Sequence, residues 1–274
     1  MHSTNPLAVS DPWNLVADGY AETTMQIFFD YAAEAIAASK LKPGAKILDV
    51  ACGPGTLGLL VAPEAGSVHG IDFSPAMLEI FRRKADAAGH SHISLHCGDA
   101  QQLPYADNEF DAAFSIFGLM FFPDRGRGFA EIHRTLKPGG SIAIMSWAPV
   151  DQSPAMQTMF GALQAIKPDL PQPQRSIATL EDPDTFRREM TEAGFRDVEI
   201  RLVTKGFPVT DVESFWDTMV KGSAPIQMLK KSLGARWPEK EQLALNFLRA
   251  ALSNKPVSLT SDAWLGTGVK QDVQ

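Results

Sequence analysis

The chain has 274 residues and a formal net charge of −7, from 25 Lys and Arg against 32 Asp and Glu. That balance gives no support for a basic face holding nucleic acid by its phosphates, and no apolar run approaches the ~20 residues that span a bilayer. A 45% hydrophobic content fills a real core, so one large domain, or one domain with an extra lobe, is expected.

The two cysteines, Cys52 and Cys97, fall at the ends of two different expected strands. A disulfide framework is therefore not expected, and a reducing compartment fits. The opening Met-His-Ser-Thr-Asn-Pro lacks the basic and apolar regions of a signal peptide, which makes cytoplasm the expected location.

Residues 1–10 read as a loose lead-in. From Asp11 to about Lys40 apolar residues recur at helical spacing (Ile27, Phe28, Tyr31, Ala35, Ile36). Lys42-Pro43-Gly44 breaks that helix, and Ala45–Val50 reads as a buried strand. A short helix is expected at 56–62 and a second strand at 67–71. Ser74 as N-cap and Pro75 at the first helical position open a helix to about Ala88. Strands follow at 92–96 and 110–116, then a helix at 125–136, and a strand at 141–147 after Lys137-Pro138-Gly139-Gly140. Alternating apolar strands and helices predict a doubly wound, mostly parallel sheet covered on both faces.

Beyond residue 150 the pattern changes. Helices are expected at 154–167 and 182–193, separated by a connector with Pro168, Pro171 and Pro173. Strands are expected at 198–203 and 257–265, with about forty largely helical residues between them, including 213–221 and 239–251. The organisation expected is an N-terminal helical segment or lid (1–40), a ligand-binding core (41–150), and the rest of the sheet with a helical cap (151–274). The cap insertions are placed at about 151–180 and 211–253.

The most informative stretch is Ile47-Leu48-Asp49-Val50-Ala51-Cys52-Gly53-Pro54-Gly55-Thr56-Leu57-Gly58. Glycines between a strand and a helix let a ligand approach the backbone and the free N–H groups of the helix start. Gly53, Gly55 and Gly58 satisfy G-x-G-x-x-G, and Asp72 follows at the end of the next strand, which is also the dinucleotide fingerprint. A carboxylate at Asp49 would repel a pyrophosphate and attract the sulfonium and ammonium of S-adenosylmethionine. Asp99, after the third strand, is placed to accept an adenine amino hydrogen, and Asp72 to accept both hydroxyls of a ribose. Both cofactors stay open on these residues, with S-adenosylmethionine ahead.

Taken with Gly70-Ile71-Asp72-Phe73-Ser74-Pro75-Ala76-Met77-Leu78, Gly98–Pro104, Phe110-Asp111-Ala112 and Leu136–Gly140, the stretch from about Lys46 to Trp147 resembles the class I S-adenosylmethionine-dependent methyltransferases. It is similar in particular to the branch holding the ubiquinone and menaquinone C-methyltransferases and many small-molecule methyltransferases. The resemblance implies a seven-stranded sheet whose last two strands form an antiparallel pair. It places Gly53 and Gly55 against the methionine moiety, Asp72 at the ribose, and Phe73 and Met77 beside the adenine. Asp99 and Ala100 are placed at the adenine edge, and Ser115 and Ile116 beside the sulfonium.

The acceptor is expected beyond the fourth and fifth strands, against Phe117, Phe121 and Trp147, an apolar aromatic lining suited to a planar or greasy small molecule. Trp13 and Tyr20 are expected to close over the cofactor. Methyl transfer depends chiefly on alignment, and the one candidate base is His133, weighed against its simply packing or facing solvent. Glu131 and Arg134 read as a scaffold ion pair. No His or Cys cluster has metal-ligand spacing, so no metal is expected. Ser115-Ile116-Phe117-Gly118 stands where a nucleobase or protein-amide N-methyltransferase would carry Asn/Asp-Pro-Pro-Tyr/Phe. The expected function is methyl transfer to a small molecule, with O- or C-methylation of an aromatic, quinone-like or lipid-like acceptor favoured. An NAD(P)-dependent oxidoreductase and a non-catalytic S-adenosylmethionine-binding protein are the alternatives.

Overall fold

A computed structural model describes residues 5–173, 176–252 and 257–271. Residues 1–4 of the expected lead-in, and residues 174–175 and 253 of the expected cap stretches, lie outside them.

Seven strands form one sheet: β1 Lys46–Val50, β2 Ser67–Asp72, β3 Ile93–Cys97, β4 Phe110–Ile116, β5 Leu136–Trp147, β6 Phe195–Val209 and β7 Val257–Lys270. Their spatial order is β3-β2-β1-β4-β5-β7-β6. The first five pair in parallel, and β7 lies antiparallel between β5 and β6, the arrangement the resemblance implied. The strand order reverses between β1 and β4, and at such a switch point the loops after the two strands diverge to leave a crevice.

The central strands are apolar on both faces because helices cover both. In β1, Ile47 joins one core cluster with Phe28 and Tyr31 of α2 (Met25–Ser39) and Leu57 of α3 (Thr56–Val61). Its neighbours Leu48 and Val50 join the opposite cluster with Phe129 and Ile132 of α5 (Arg125–Thr135) and Phe186 and Met190 of α7 (Pro183–Glu192). This alternation also decides where Asp49 points, toward the α3 face. Helix α4 (Pro75–Ala87) starts as its sequence dictates: Pro75 holds the first position and the Ser74 hydroxyl accepts from the Met77 N–H at 3.2 Å.

The late helices α6 (Pro154–Ile166), α8 (Val212–Gly222), α9 (Ala224–Leu233) and α10 (Trp237–Leu252) share an apolar cluster. It includes Leu163, Ile166, Trp216, Ile226, Trp237 and Leu248.

The structure departs from the sequence reading in three places. The single helix expected from Asp11 is split into α1 (Ser10–Gly19) and α2 by a π-helical turn, Tyr20–Thr24. At that turn α8 comes very close: a Cβ on Gly19 would overlap the Lys221 carbonyl, and one on Gly222 would overlap Thr24. The Thr23 hydroxyl donates to the Gly19 carbonyl at 2.7 Å across the widened turn. Strands β6 and β7 outrun their predicted spans because they pair with each other over their whole length, and the half-exposed outer part of that ribbon lacks an apolar signature. β5 begins at Leu136 rather than Ser141, since Leu136 already pairs with Phe110.

Candidate active site

A cavity of about 290 Å³ opens at the carboxyl ends of β1, β2 and β4, at the lower edge of the usual scale of a small-molecule site. Its floor is backbone. Ala51 and Gly53 follow β1, and Gly53 takes φ +53° with nothing within 4 Å of where a Cβ would stand. Phe117 and Gly118 follow β4, Phe117 at φ +59°. Ala51 is left-handed too, at φ +53°. A Cβ at Gly118 would overlap that of Ala51, so the two loops touch across the switch point. Left-handed backbone at two non-glycine residues costs about 1–3 kcal/mol each, and such strain gathers at functional sites.

Of the residues expected at the cofactor, Gly53, Asp72, Phe73, Met77, Asp99, Ala100, Ile116 and Tyr20 all line this cavity, as do Phe117 and Phe121 from the acceptor set. Asp72 is nearly buried and accepts from the Gly53 N–H at 2.9 Å and the Ser74 N–H at 2.8 Å. Asp99 bends its loop by accepting from the Gln101 N–H at 2.8 Å. The stretch after it is held from α5: Glu131 accepts from the Leu103 N–H, and Arg134 donates to the Leu103 and Tyr105 carbonyls while pairing with Glu131. The expected scaffold pair thus supports the Asp99 loop.

Five expected residues do not line the cavity. Asp49 is 1% exposed and accepts from the Gly58 N–H at 3.1 Å, so it braces the start of α3 behind the glycine loop. Gly55, at φ +94°, lies against Phe81, whose ring a Cβ would overlap; it serves packing rather than ligand approach. Ser115 is fully buried and accepts from the Leu119 N–H at 3.1 Å, shaping the turn that presents Phe117. Trp147 stacks behind Phe117, with ring centroids 3.9 Å apart and planes at 20°. His133 packs edge-on against Phe195 at 5.1 Å, and Phe195 pairs with Lys270 at the amino-terminal edge of the parallel strands. That is the opposite end of the sheet, and His133 is corrected from candidate base to packing residue.

The roof was the least legible part. Leu7 and Ala8 line the cavity with Trp13, and the Trp13 ring meets Phe121 at 5.3 Å. The Trp13 indole N–H donates to the Leu7 carbonyl at 2.9 Å. Gln101, Phe122 and Pro123 complete the rim. Gln101 falls within the Gly98–Pro104 motif and Trp13 stands out as a large aromatic near the start of the chain, whereas no periodicity or motif marks Leu7, Ala8, Phe122 or Pro123.

The site's electrostatics are set by burial. Asp49 is pushed up to about 8, chiefly by burial and further by Asp72, against the opposing Gly58 hydrogen bond. Asp72 is pushed up to about 6 by burial, with the Ser74 and Gly53 N–H groups pulling it down. The ordinary aspartate value, about 3.9, applies in the unfolded chain. Between that value and the raised native ones the folded chain holds protons the unfolded chain has released, so stability falls as pH rises through the window. The ligand-free melting temperature should therefore drop between pH 5 and pH 8. Asn at position 49 keeps an acceptor for Gly58, so Asp49→Asn should flatten that drop. Parallel pH profiles for the two chains in thermal melts would rule the assignment out.

Among the described residues no group of three or more His, Cys, Asp and Glu is placed to hold a metal ion, and no helix is long and apolar enough to cross a membrane. Cys52 and Cys97 are both free.

Comparison with known proteins bears on this geometry. Residues 47–140 match a family model described as a methyltransferase domain. The chain is 33% identical over 186 residues to the ubiquinone/menaquinone biosynthesis C-methyltransferase UbiE of Geobacter sp. (strain M21), covering 61% of this chain and 77% of that one. It is 36% identical over 180 residues to the demethylmenaquinone methyltransferase of Shouchella clausii (strain KSM-K16), with the same coverage of 61% and 77%. The fold is shared with a phosphoethanolamine N-methyltransferase of Haemonchus contortus, solved with phosphomonomethylethanolamine and S-adenosylhomocysteine. That likeness has a TM-score of 0.55 at 18% identity and covers 89% of this chain and 53% of that one.

Proposed function

Because the chain belongs to the class I S-adenosylmethionine-dependent methyltransferases, in the branch of the ubiquinone and menaquinone C-methyltransferases, we propose that its small-molecule acceptor is an electron-rich quinol-type ring methylated at carbon. The cofactor is S-adenosylmethionine and the enzyme a methyltransferase; the nicotinamide and non-catalytic readings of the glycine loop are not retained.

The cavity fits the cofactor. Gly53 leaves its backbone open where a side chain would stand, and the buried Asp72 presents a carboxylate with no Lys or Arg bonded to it among the described residues. In this reading Gly53 lies along the methionine part and Asp72 accepts from the two ribose hydroxyls. Phe73 and Met77 flank the adenine, with Asp99 and Ala100 at its edge. Ile116 borders the sulfonium and Tyr20 lies across the top. S-adenosylmethionine supplies an electrophilic methyl group, whose bond to sulfur breaks as the bond to the acceptor forms.

One observation carries the acceptor class. The titratable groups lining the cavity are Asp72, Asp99 and Tyr20. Burial, reinforced by Asp72, pushes the Tyr20 phenol well above its ordinary range, so it keeps its proton. With both carboxylates assigned to the cofactor, no base is left to activate an amine or a simple alcohol. What remains is Trp13, Phe117, Phe121 and Phe122, which position a flat ring and exclude water. A quinol brings its own electron density to the attacking carbon, and the ring proton it gives up passes to solvent water once the methylated ring leaves the closed cavity. Trp147 supports the acceptor side from behind Phe117.

The test is methyl transfer from labelled S-adenosylmethionine to short-chain demethylmenaquinol, to catechol and to primary amines, with the product methyl located by NMR. A ring C-methyl on the quinol is the expected product. Turnover confined to amines or hydroxyls would overturn the assignment.

A further inference from the structure

The strongest feature left unassigned is a hydrogen-bonded link between the cavity's ribose corner and its roof. Ser74 makes three contacts at once. Its N–H donates to the Asp72 carboxylate at 2.8 Å, its hydroxyl oxygen accepts from the Met77 N–H at 3.2 Å, and its O–H donates to Asn14 Oδ1 at 2.7 Å. Asn14 Oδ1 also receives a longer bond, 3.4 Å, from the Ala76 N–H, one of the free donors in the first turn of α4. Ser74 is fully buried, so its hydroxyl has no bulk water as an easy replacement for Asn14, which is itself half-buried.

Asn14 stands on α1, and that helix carries the roof. Its neighbour Trp13 lines the cavity, and Tyr20, at the first residue after the helix, does the same. The same face of α1 packs through Val16 and Ala17 with Met77 and Ile80 of α4 and Ala224 of α9, and Trp13 and Tyr20 lie against that cluster. To this apolar contact the Asn14 bonds add a directional tie to the start of α4. Among the described residues, the side-chain hydrogen bonds between α1 and the Asp72–Ala76 turn are those of Asn14.

Resting on the cofactor reading above, we propose that Asn14 is a positioning residue for S-adenosylmethionine, latching the α1 roof to the turn whose carboxylate holds the ribose. The physical route is short. Hydroxyls accepted by Asp72 fix the 72–74 turn, the turn fixes the direction of the Ser74 O–H, and that O–H fixes α1 with Trp13 and Tyr20 above the cavity. Loss of the latch frees the roof and speeds cofactor escape while leaving the transfer geometry of the filled site unchanged.

The test compares Asn14→Leu, which removes the acceptor, with Asn14→Asp, which keeps it, each against the unaltered chain. Asn14→Leu should weaken S-adenosylmethionine binding about tenfold, the scale of one buried hydrogen bond to two, through faster dissociation in stopped-flow. Turnover at saturating cofactor should stay within about twofold, and Asn14→Asp should stay close to the unaltered affinity. A second measurement needs no variant at Asn14: backbone hydrogen exchange across residues 10–19 should slow when S-adenosylmethionine is added to the unaltered chain. Unchanged affinity in Asn14→Leu, or equal loss in both variants tracking a lowered melting temperature, would overturn the latch. So would exchange in α1 that ignores the cofactor. Failure of the unaltered chain to bind S-adenosylmethionine at all would sink the cofactor reading and the latch together, which separates the two.

Discussion

Replacing Asp72 by alanine is expected to weaken S-adenosylmethionine binding about 100-fold while the chain still folds. The expectation rests on the Asp72 environment: a nearly buried carboxylate lining the cavity and already steadied by the Gly53 and Ser74 N–H groups. Hydrogen bonds to a charged acceptor are each worth about 1.5–3 kcal/mol, and two of them to vicinal hydroxyls reach the stated factor. Folding survives because removing the carboxylate also removes a buried charge raised to about 6. That gain offsets part of the cost of leaving two N–H groups without their acceptor. Asp72→Asn, which keeps one acceptor oxygen, should fall between the two. Titration calorimetry decides it, and an affinity within threefold of the unaltered chain would remove Asp72 from the cofactor.

Gly55→Ala should be the most damaging single methyl in the glycine loop, lowering the melting temperature by roughly 6–12 °C for a loss of about 3 kcal/mol. Two costs combine. At φ +94° an L side chain meets its own backbone, and the added Cβ would overlap the fully buried Phe81 ring, an overpacking cost of about 1–3 kcal/mol. The second cost belongs to the pair, so it should shrink in a Phe81→Leu background, where only the backbone strain remains. A double-mutant cycle in thermal melts checks this. Strict additivity of the two substitutions would show that the ring is not what Gly55 avoids. Gly53→Ala makes the contrast: nothing stands within 4 Å of its Cβ position, so its damage should appear in ligand affinity more than in packing.

These two glycines show where a motif stops being informative. Read as letters, Gly53 and Gly55 look alike, two glycines of one loop. In the fold one opens to the cavity and the other sits on Phe81 of α4, a contact between residues 26 positions apart that no local pattern encodes. Asp49 follows the same logic. Its place at the end of β1 was legible, but the alternation of the strand turns it toward α3, where Gly58 takes it, and a residue expected to face ligand instead braces the loop behind it. His133 has only its chemistry to recommend it as a base, and its helix carries it to the far edge of the sheet, against Phe195. Trp147 was placed correctly at the end of β5, yet Phe117, in a left-handed conformation, stands between it and the cavity.

What the sequence by itself determined is what local physics can enforce. The antiparallel last pair of the sheet came from the family resemblance, while the apolar strands, the Ser74-Pro75 helix start and the order of the motifs set the parallel sheet and the carboxylates at the ends of β2 and β3 that meet at one crevice. Each of those depends on periodicity, capping or turn chemistry within a few residues, and the crevice follows from the strand order. The tertiary structure alone decided which side chains actually face the cavity, because that depends on contacts between distant segments. The roof is the clearest case: Leu7, Trp13 and Tyr20 come to lie over the site because α1 packs on α4 and α9 through Val16, Ala17 and Ala224, and burial of that one apolar face carries its rim over the cavity.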